Sequence, residues 1–310
     1  MKMGAEGRPE SRRATARFRP DYEIPAERLP EGFVETLAAV PAAPAVPRPA
    51  ATVVLLREGA DGPEALLLRR NRATGFVPGA WVFPGGRVDA ADGEDALAER
   101  WDGLTREGAA GRLGLERGAE PPAIAYYGAA VREAVEETGL WPGATAGDGS
   151  AAAPEGGGGG AVRGGELAAG TLAQAREALL GGGVPLARVL RALNARLDGG
   201  AFEYIAHWVT PAAEPRRYDT RFFAASVPAG AAAAHDEREM TGAVWLTPRA
   251  ALERHRRGGL PMIFPTIRTL EDLSGFAAVG DLLAHYRDRA IPRIQPDIVR
   301  TATGVALRVP

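Results

Sequence analysis

The sequence contains no cysteine, which excludes disulfide bonds, thiolate metal ligands and cysteine nucleophiles. It also lacks an excess of either charge, because 37 lysine and arginine residues stand against 39 aspartate and glutamate residues, for a formal net charge of −2. No overall basic field attracts nucleic acid, so we expect none as a partner. An anionic substrate would have to be held by local groups.

Long apolar runs are absent as well. The runs ATVVLL and ALLL fall far below the roughly 20 apolar residues that a membrane-spanning helix needs. The arginine-rich start, MKMGAEGRPESRRATARFRP, contains no apolar stretch of the kind found in secretory signals. We therefore expect a cytoplasmic protein with no membrane partner.

The pattern of apolar residues predicts a single domain at residues 46–290, after an extended or disordered lead-in at residues 1–45 and before a tail at residues 291–310. Strand-like runs occur near the start of the domain and again between residues 202 and 246. Helical patterns lie between and after them. Because strands precede and follow helices without regular alternation, we expect an α/β protein of the α+β kind, with helices covering a mixed β-sheet.

Two segments of this domain predict additions to the sheet. A low-complexity loop at about residues 142–165 is rich in glycine and alanine and cannot bury enough apolar surface to order itself, so we expect it to be mobile. A helical pattern at about residues 171–198 then predicts a helical insertion.

The stretch GAAVREAVEETGL, residues 128–140, predicts an amphipathic helix with an acidic face. At 100° per residue, Glu133, Glu136 and Glu137 share one face, and Gly139 supplies the glycine of a helix end. Like charges one turn apart destabilise a helix by roughly 0.2 to 0.5 kcal/mol per pair. A divalent cation would reverse that sign, and carboxylate oxygens suit Mg²⁺ or Mn²⁺. A solvated acidic helix face is the alternative.

The run REAVEETGL resembles the second half of the Nudix box, which reads Arg-Glu, a hydrophobic residue, any residue, Glu-Glu, any residue, Gly and a hydrophobic residue. The first half, a glycine followed after five residues by an acid, is matched by Gly86 and Asp92, with aspartate in place of the usual glutamate. In the box, seven residues separate this acid from the arginine, which would put the arginine at position 100 instead of 132. The resemblance therefore implies an insertion of 32 residues, at about residues 93–124.

An insertion at this place resembles the acyl-coenzyme A diphosphatase subgroup of Nudix hydrolases, and the runs AHWVTPAAEPRRYDTRFFAA and FPTIRTLEDLSGF agree with it. The resemblance implies a Nudix-type mixed β-sheet sandwiched between helices, with helical insertions. It also implies that water cleaves a small-molecule nucleoside-diphosphate substrate with Mg²⁺ or Mn²⁺ as cofactor. Coenzyme A-directed members carry two arginines, a glycine and FPGG upstream of the box. Arg70, Gly79 and residues 83–86 match this signature, whereas Gly75 stands in place of the second arginine.

The substrate implied by this resemblance is coenzyme A or an acyl-coenzyme A, with (acyl-)phosphopantetheine and adenosine 3′,5′-bisphosphate as products. The missing second arginine keeps ADP-ribose or another nucleoside-diphosphate compound as the alternative substrate. A Nudix-like binding or regulatory module without catalysis is the alternative of another class. A homodimer is left open.

The resemblance also assigns the catalytic and metal-binding roles. Glu136 and Glu137 are the expected metal ligands, Glu133 is a ligand or the base for the attacking water, and Arg132 orients a glutamate through a charge-assisted bond. Glu239, in the late run HDEREMTGAVW, is the predicted further acid, for which a solvated loop charge is the alternative.

We predict that Arg70, Gly85, Gly86 and Arg217 bind the substrate. The two arginines lie in the runs RRNR and EPRRYDTR and can fork onto phosphate. Alternation along a strand places Arg217 and Tyr218 on opposite faces, so at most half of that run can face a ligand. The two glycines are expected to let the backbone turn tightly and approach the helix, as glycine permits at positive φ.

Overall fold

The computed structural model describes residues 21–25, 43–71, 79–146, 169–180, 184–233 and 240–309. Its strands are β1 (Asp21–Pro25), β2 (Arg48–Gly59), β3 (Gly62–Arg70), β4 (Trp81–Val82), β5 (Gly85–Arg87), β6 (Trp101–Asp102), β7 (Ala144–Ala146), β8 (Ala195–Asp198), β9 (Phe202–Val209), β10 (Tyr218–Ser226), β11 (Met240–Leu246), β12 (Arg293–Ile294), β13 (Asp297–Arg300) and β14 (Gly304–Arg308). Its α-helices are α1 (Asp95–Ala98), α2 (Arg106–Leu113), α3 (Ala123–Thr138), α4 (Ala169–Leu180), α5 (Leu186–Ala192), α6 (Pro248–Arg256), α7 (Phe264–Leu273) and α8 (Val279–Tyr286).

The largest sheet is mixed and runs in the order β11-β3-β2-β10-β9-β12, with β4 beside β3 and β5 beside β2. Strands β2 and β3 form an antiparallel hairpin, while β10 runs parallel to β2 and antiparallel to β9. Along β2, Val53 and Leu55 enter one hydrophobic core, and Val54 and Leu56 enter the other. Because both faces of the strand are buried, its sequence is a continuous apolar run and does not alternate.

Helices cover both faces of this sheet. On one face, α3 buries Tyr127 and Val131, and on the other, α7 and α8 bury Leu270 and Leu282. Helix α3 contains the predicted acidic helix and ends at Thr138, where Gly139 takes the left-handed conformation at φ 72° that caps the helix. The predicted mixed sheet between helices is confirmed.

The two inserted segments pack against each other. The first insertion lies between the 3₁₀ turn Ala90–Gly93 and α3 and contains β6, while the second contains β8. Strand β8 pairs with β6 on one side and with β7 on the other, so the three strands form a small sheet. Trp101 of β6 meets the rings of Tyr127 and Phe202 edge-on at centroid distances of 6.0 and 5.7 Å. This buried indole anchors the first insertion to the core beneath α3.

Gly128 lets α3 approach the turn at which the first insertion leaves the box. A Cβ at this position would lie 2.6 Å from the carbonyl oxygen of Asp92 and 2.9 Å from Cδ2 of Leu97. Real Cβ atoms do not approach other heavy atoms so closely, so any side chain at Gly128 would push the turn away from the helix. The position of Asp92 over α3 therefore depends on this glycine.

The lead-in and the tail predicted at the two ends of the chain meet in the structure. β1 of the lead-in pairs antiparallel with β14 of the tail, and β13 pairs with β14 on its other side. We call these three strands the terminal sheet. An extended segment at an open strand edge can satisfy its backbone hydrogen bonds there.

Parts of several predictions lie outside the described residues. These are residues 1–20 and 26–42 of the lead-in and residues 147–168, which include most of the low-complexity loop. In the described part of the chain, no helix is both long and apolar enough to cross a membrane.

Substituting Gly128 by alanine should destabilise the protein by about 1 to 3 kcal/mol, because the new methyl group overpacks against the Asp92 backbone. Urea unfolding followed by circular dichroism measures this change. Gly111→Ala on α2 is the matched control, since a Cβ there meets nothing within 4 Å. The control should stabilise the protein by about 0.5 to 1 kcal/mol. Equal stabilisation by both substitutions would contradict the packing role of Gly128.

Candidate active site

A pocket of about 1300 Å³ lies at the end of the main sheet where β2 and β10 begin. One side of it is polar and is lined by Glu133, Glu136 and Glu137 of α3, together with Arg132. The other side is mainly apolar and is lined by residues of β9, β10, α7 and the terminal sheet, although Glu23 and Glu214 also line the pocket. All three glutamates of the predicted acidic face thus meet one cavity.

The guanidinium group of Arg132 connects most of the charged groups on the polar side. Its Nη1 donates to Glu133 Oε1 at 2.8 Å and to Glu136 Oε2 at 3.1 Å. Its Nε and Nη2 donate to the two carboxylate oxygens of Asp92, each at 3.0 Å, and Nη2 also donates to the carbonyl oxygen of Arg87 at 2.8 Å. Burial lowers the pKa of Arg132, but the hydrogen bond to Asp92 and the surrounding carboxylates outweigh it and raise that pKa. The arginine is therefore a permanently charged fork between two segments.

Asp92 occupies the position of the box glutamate and takes a structural role in this site. It is 2% exposed, and besides binding Arg132 it accepts a hydrogen bond from the backbone N–H of Asp89 at 2.8 Å. The shorter aspartate arm still reaches Arg132 because the turn Ala90–Gly93 lies directly over α3. The two halves of the box therefore meet across the insertion.

Gly85 and Gly86 bring the backbone of β5 against the glutamates. The N–H of Gly85 donates to Glu137 Oε2 at 3.0 Å, and a Cβ at Gly86 would overlap the carboxylate of Glu133. Neither glycine has positive φ, so that part of the prediction is wrong, whereas the predicted close approach to the helix is observed. The glycines are needed for close approach, since a Cβ at Gly85 would also lie 2.6 Å from the carbonyl oxygen of Ala51.

The three glutamates are largely removed from water. Glu137 is 6% exposed, and the side chains of Glu133 and Glu136 are 14% and 19% exposed. Burial, together with the neighbouring Glu133 carboxylate, raises the pKa of Glu136 to about 7, and the nearby Arg132 only partly opposes this. The site holds more negative charge than Arg132 neutralises.

Three carboxylates on one wall are the donor set that suits Mg²⁺ or Mn²⁺. Within the described ranges, however, no three acidic or histidine side chains converge closely enough to hold a metal ion. Glu133 and Glu136 contact Arg132 instead, and Glu137 contacts the Gly85 N–H. The donor chemistry fits a divalent cation, which would compete with Arg132 for two of the carboxylates.

The predicted substrate-binding arginines lie in different places. Arg70 lines the pocket, forms no ion pair with any described residue, and has a buried Nε without a hydrogen-bond partner there. Arg217 is buried away from the pocket, where its guanidinium donates to the carbonyl oxygens of Thr210 and Ala45 and to Gln295 Oε1. The face of β10 that meets the pocket carries Tyr218, as the predicted alternation allows.

Two further residues named in the sequence, Glu239 and Gly75, lie outside the described residues. Other pocket residues were not predicted. Glu214, in the loop between β9 and β10, lines the cavity, and burial raises its pKa. The apolar side chains of the terminal sheet were also missed, since their strands are short and far apart in sequence.

Comparisons with known proteins agree with this geometry. A family model described as the NUDT19 Nudix domain matches residues 37–273. Acyl-coenzyme A diphosphatase NUDT19 of Gallus gallus is 28% identical over 282 residues, covering 78% of this chain and 72% of that protein. Its Homo sapiens counterpart is 28% identical over 287 residues, covering 81% and 72%. A solved Nudix hydrolase from Alicyclobacillus acidocaldarius is 29% identical with a TM-score of 0.63, covering 78% of this chain and 97% of that one.

Replacing Asp92 by asparagine should cost about 1 to 3 kcal/mol of unfolding free energy, because it removes the charged acceptor of two Arg132 hydrogen bonds. Asp89→Asn is the matched control, since its carboxylate is 59% exposed and 3.7 Å from Arg132 Nη2. Exposed pairs contribute less than about 1 kcal/mol. Urea unfolding of both variants measures the difference, and equal losses would contradict the central role of the Asp92 contact.

The raised pKa of Glu136 predicts a pH-dependent stability. A folded-state pKa of about 7 means that folded protein binds this proton more tightly than unfolded chain does. The contribution of Glu136 to stability is therefore present at low pH and is lost as pH rises towards 7. Glu136→Gln cannot titrate, so its stability relative to wild type should increase by more than about 1 kcal/mol between pH 5 and pH 8. Urea unfolding in a metal chelator measures this, and a constant difference would contradict it.

Proposed function

Because this chain belongs to the Nudix hydrolases, within the family of the NUDT19 Nudix domain, we propose that it cleaves the diphosphate of coenzyme A or an acyl-coenzyme A. Water would attack one phosphorus, and the bond from that phosphorus to the bridging oxygen would break. The products are then (acyl-)phosphopantetheine and adenosine 3′,5′-bisphosphate. Two relatives named acyl-coenzyme A diphosphatase support this choice of substrate.

The observation that carries the proposal is the division of the pocket into a charged side and an apolar side. The glutamates and Arg132 line one side, and Trp208, Phe222 and Phe264 line the other. An acyl-coenzyme A has the same division, with a diphosphate in the middle of the molecule and an apolar chain at one end. ADP-ribose has an adenine ring that could stack on one aromatic side chain, but it has no long apolar chain to cover the rest of the apolar side. A volume of about 1300 Å³ also suits a ligand larger than most drug-sized molecules.

Nudix hydrolases generally use a divalent cation, and we propose Mg²⁺ or Mn²⁺ held by Glu133, Glu136 and Glu137. When bound, it would neutralise charge on the diphosphate and make water a better nucleophile at neutral pH. The high pKa of Glu136 and the unbalanced negative charge of the wall favour cation binding there. Mg²⁺ commonly binds through one or two carboxylates, waters and substrate phosphates, which fits a site whose glutamates are partly engaged by Arg132.

The protein groups themselves have three tasks. Arg132 holds Glu133 and Glu136 in place while Asp92 holds Arg132, so the carboxylates stay oriented towards the pocket. Glu133, beside the backbone of Gly86, is the proposed base for the attacking water. Arg70 lines the same pocket without an ion pair to any described residue, and we assign it to a substrate phosphate.

A non-catalytic binding module is the less favoured reading. All three glutamates of the box helix are present, and four carboxylates and one arginine pack around a single cavity, which favours a catalytic site. Glu239 remains the proposed further acid, and a cytoplasmic location and the homodimer that was left open remain predictions.

Purified protein with Mg²⁺ or Mn²⁺ should hydrolyse coenzyme A and acyl-coenzyme A with a higher kcat/KM than ADP-ribose, NADH or nucleoside triphosphates. Mass spectrometry should identify phosphopantetheine and adenosine 3′,5′-bisphosphate as the products. Glu136→Gln should reduce kcat/KM by at least about a hundredfold, as loss of a group at the reacting centre does. Glu107→Gln, exposed on α2, is the control and should retain wild-type activity.

A preference for ADP-ribose over every coenzyme A species would overturn the substrate and leave the hydrolase mechanism. Absence of turnover with all of these diphosphates, together with an unchanged Glu136→Gln variant, would overturn the catalytic assignment.

A further inference from the structure

Both ends of the chain contribute to one wall of the pocket. Apart from Glu23, the side chains that line it from the terminal sheet are apolar or aromatic: Tyr22, Ile24, Ile298, Val305 and Leu307. Strands β1 and β13 flank β14, so Leu307 lies opposite Tyr22 on one side and Ile298 on the other. Residues directly opposite on neighbouring strands share a face of the sheet. These side chains therefore form one continuous apolar face directed at the pocket.

An aromatic surface of the main domain stands against this face. The ring of Tyr22 lies 5.4 Å from that of Phe264, and Phe264 meets Trp208 edge-on at 5.5 Å. The hydroxyl of Tyr22 is 3.2 Å from Nε2 of His255 on α6. Tyr22 thus packs β1 against α6 and α7, and the other apolar side chains of the terminal sheet line the cavity beside it.

We propose that the terminal sheet holds the acyl chain of the substrate and sets the preference for acylated over free coenzyme A. This inference rests on the proposed function. The occupant of the apolar side must be attached to a diphosphate, because the same cavity continues to Glu133 and Arg132. In an acyl-coenzyme A, only the acyl end is a long apolar chain, and an apolar wall of aliphatic and aromatic side chains is the surface that such a chain buries against.

Two observations separate this role from ordinary core packing. Ile298 and Leu307 are half-buried where they line the cavity, so apolar surface remains for a ligand to cover. The strands of the terminal sheet also lie outside residues 37–273, which match the family model. The wall therefore lies outside the part of the chain that matches the family model, where it can change substrate choice without changing the glutamates.

The test compares the full chain with variants at two neighbouring positions of β13. Ile298 lines the pocket, whereas Val299 is half-buried on the opposite face of the strand. For each protein, kcat/KM is measured with free, acetyl-, hexanoyl- and dodecanoyl-coenzyme A. Ile298→Asp should lower the ratio of dodecanoyl to free coenzyme A by at least tenfold, while Val299→Asp should keep the wild-type ratio.

Ile298→Phe keeps the wall apolar and adds volume to it, so it tests the proposal if the aspartate variant fails to fold. It should shift the preferred chain length towards acetyl or hexanoyl. Wild-type ratios in both Ile298 variants, with an active wild-type enzyme, would overturn the role of the terminal sheet alone. A wild-type enzyme that cleaves no coenzyme A species would instead overturn the proposed function, and this inference with it.

Discussion

The hydrogen-bonded fork of Arg132 is the interaction on which the site depends. It joins Asp92, which precedes a long insertion, to Glu133 and Glu136, which follow it. One cation is shared among these three carboxylates, and Glu137 adds a fourth, which accepts a hydrogen bond from the backbone N–H of Gly85. Burial is the main cause of the raised pKa of Glu136, and the neighbouring Glu133 carboxylate adds to it. The negative charge that remains on the wall is the electrostatic reason that a divalent cation suits it.

The insertion is tolerated because it folds into secondary structure of its own, α1, β6 and α2, and does not form a long irregular loop. Closing a longer loop costs only about 0.6 kcal/mol per doubling of its length. The larger requirement is that the box halves return to the same place, and packing supplies it. Trp101 fixes the insertion to Tyr127 of α3, and Gly128 on the same helix admits the Asp92 turn at close range.

The sequence predicted the parts of the site that depend on local geometry. The spacing of the three glutamates determines a shared helix face whatever the tertiary structure, and the predicted helix carries them into one pocket. Side chains whose position depends on which strand face is buried were harder to place. The side chain of Arg217 could have faced either a ligand or the protein core. It faces the core, where it donates hydrogen bonds to Ala45 and Gln295, and these acceptors are too distant in sequence to have been predicted. The terminal sheet could not be predicted, because it pairs residues 21–25 with residues 304–308 and neither short run shows its partner.

The short strand β5 lies between the charged side and the apolar side of the pocket and sets the distance between them. The carboxylates approach it from α3, while Thr52, its neighbour on β2, lies in register with Phe222 of the aromatic surface. Neighbouring strands are about 4.8 Å apart, so Gly85 and Phe222 are separated by roughly 10 Å across the sheet. A side chain at Gly85 would overlap β2, and a side chain at Gly86 would overlap Glu133. At these two positions there is room for the backbone of β5 but not for a side chain. The register of the sheet therefore determines the distance between the charged and the apolar side of the pocket.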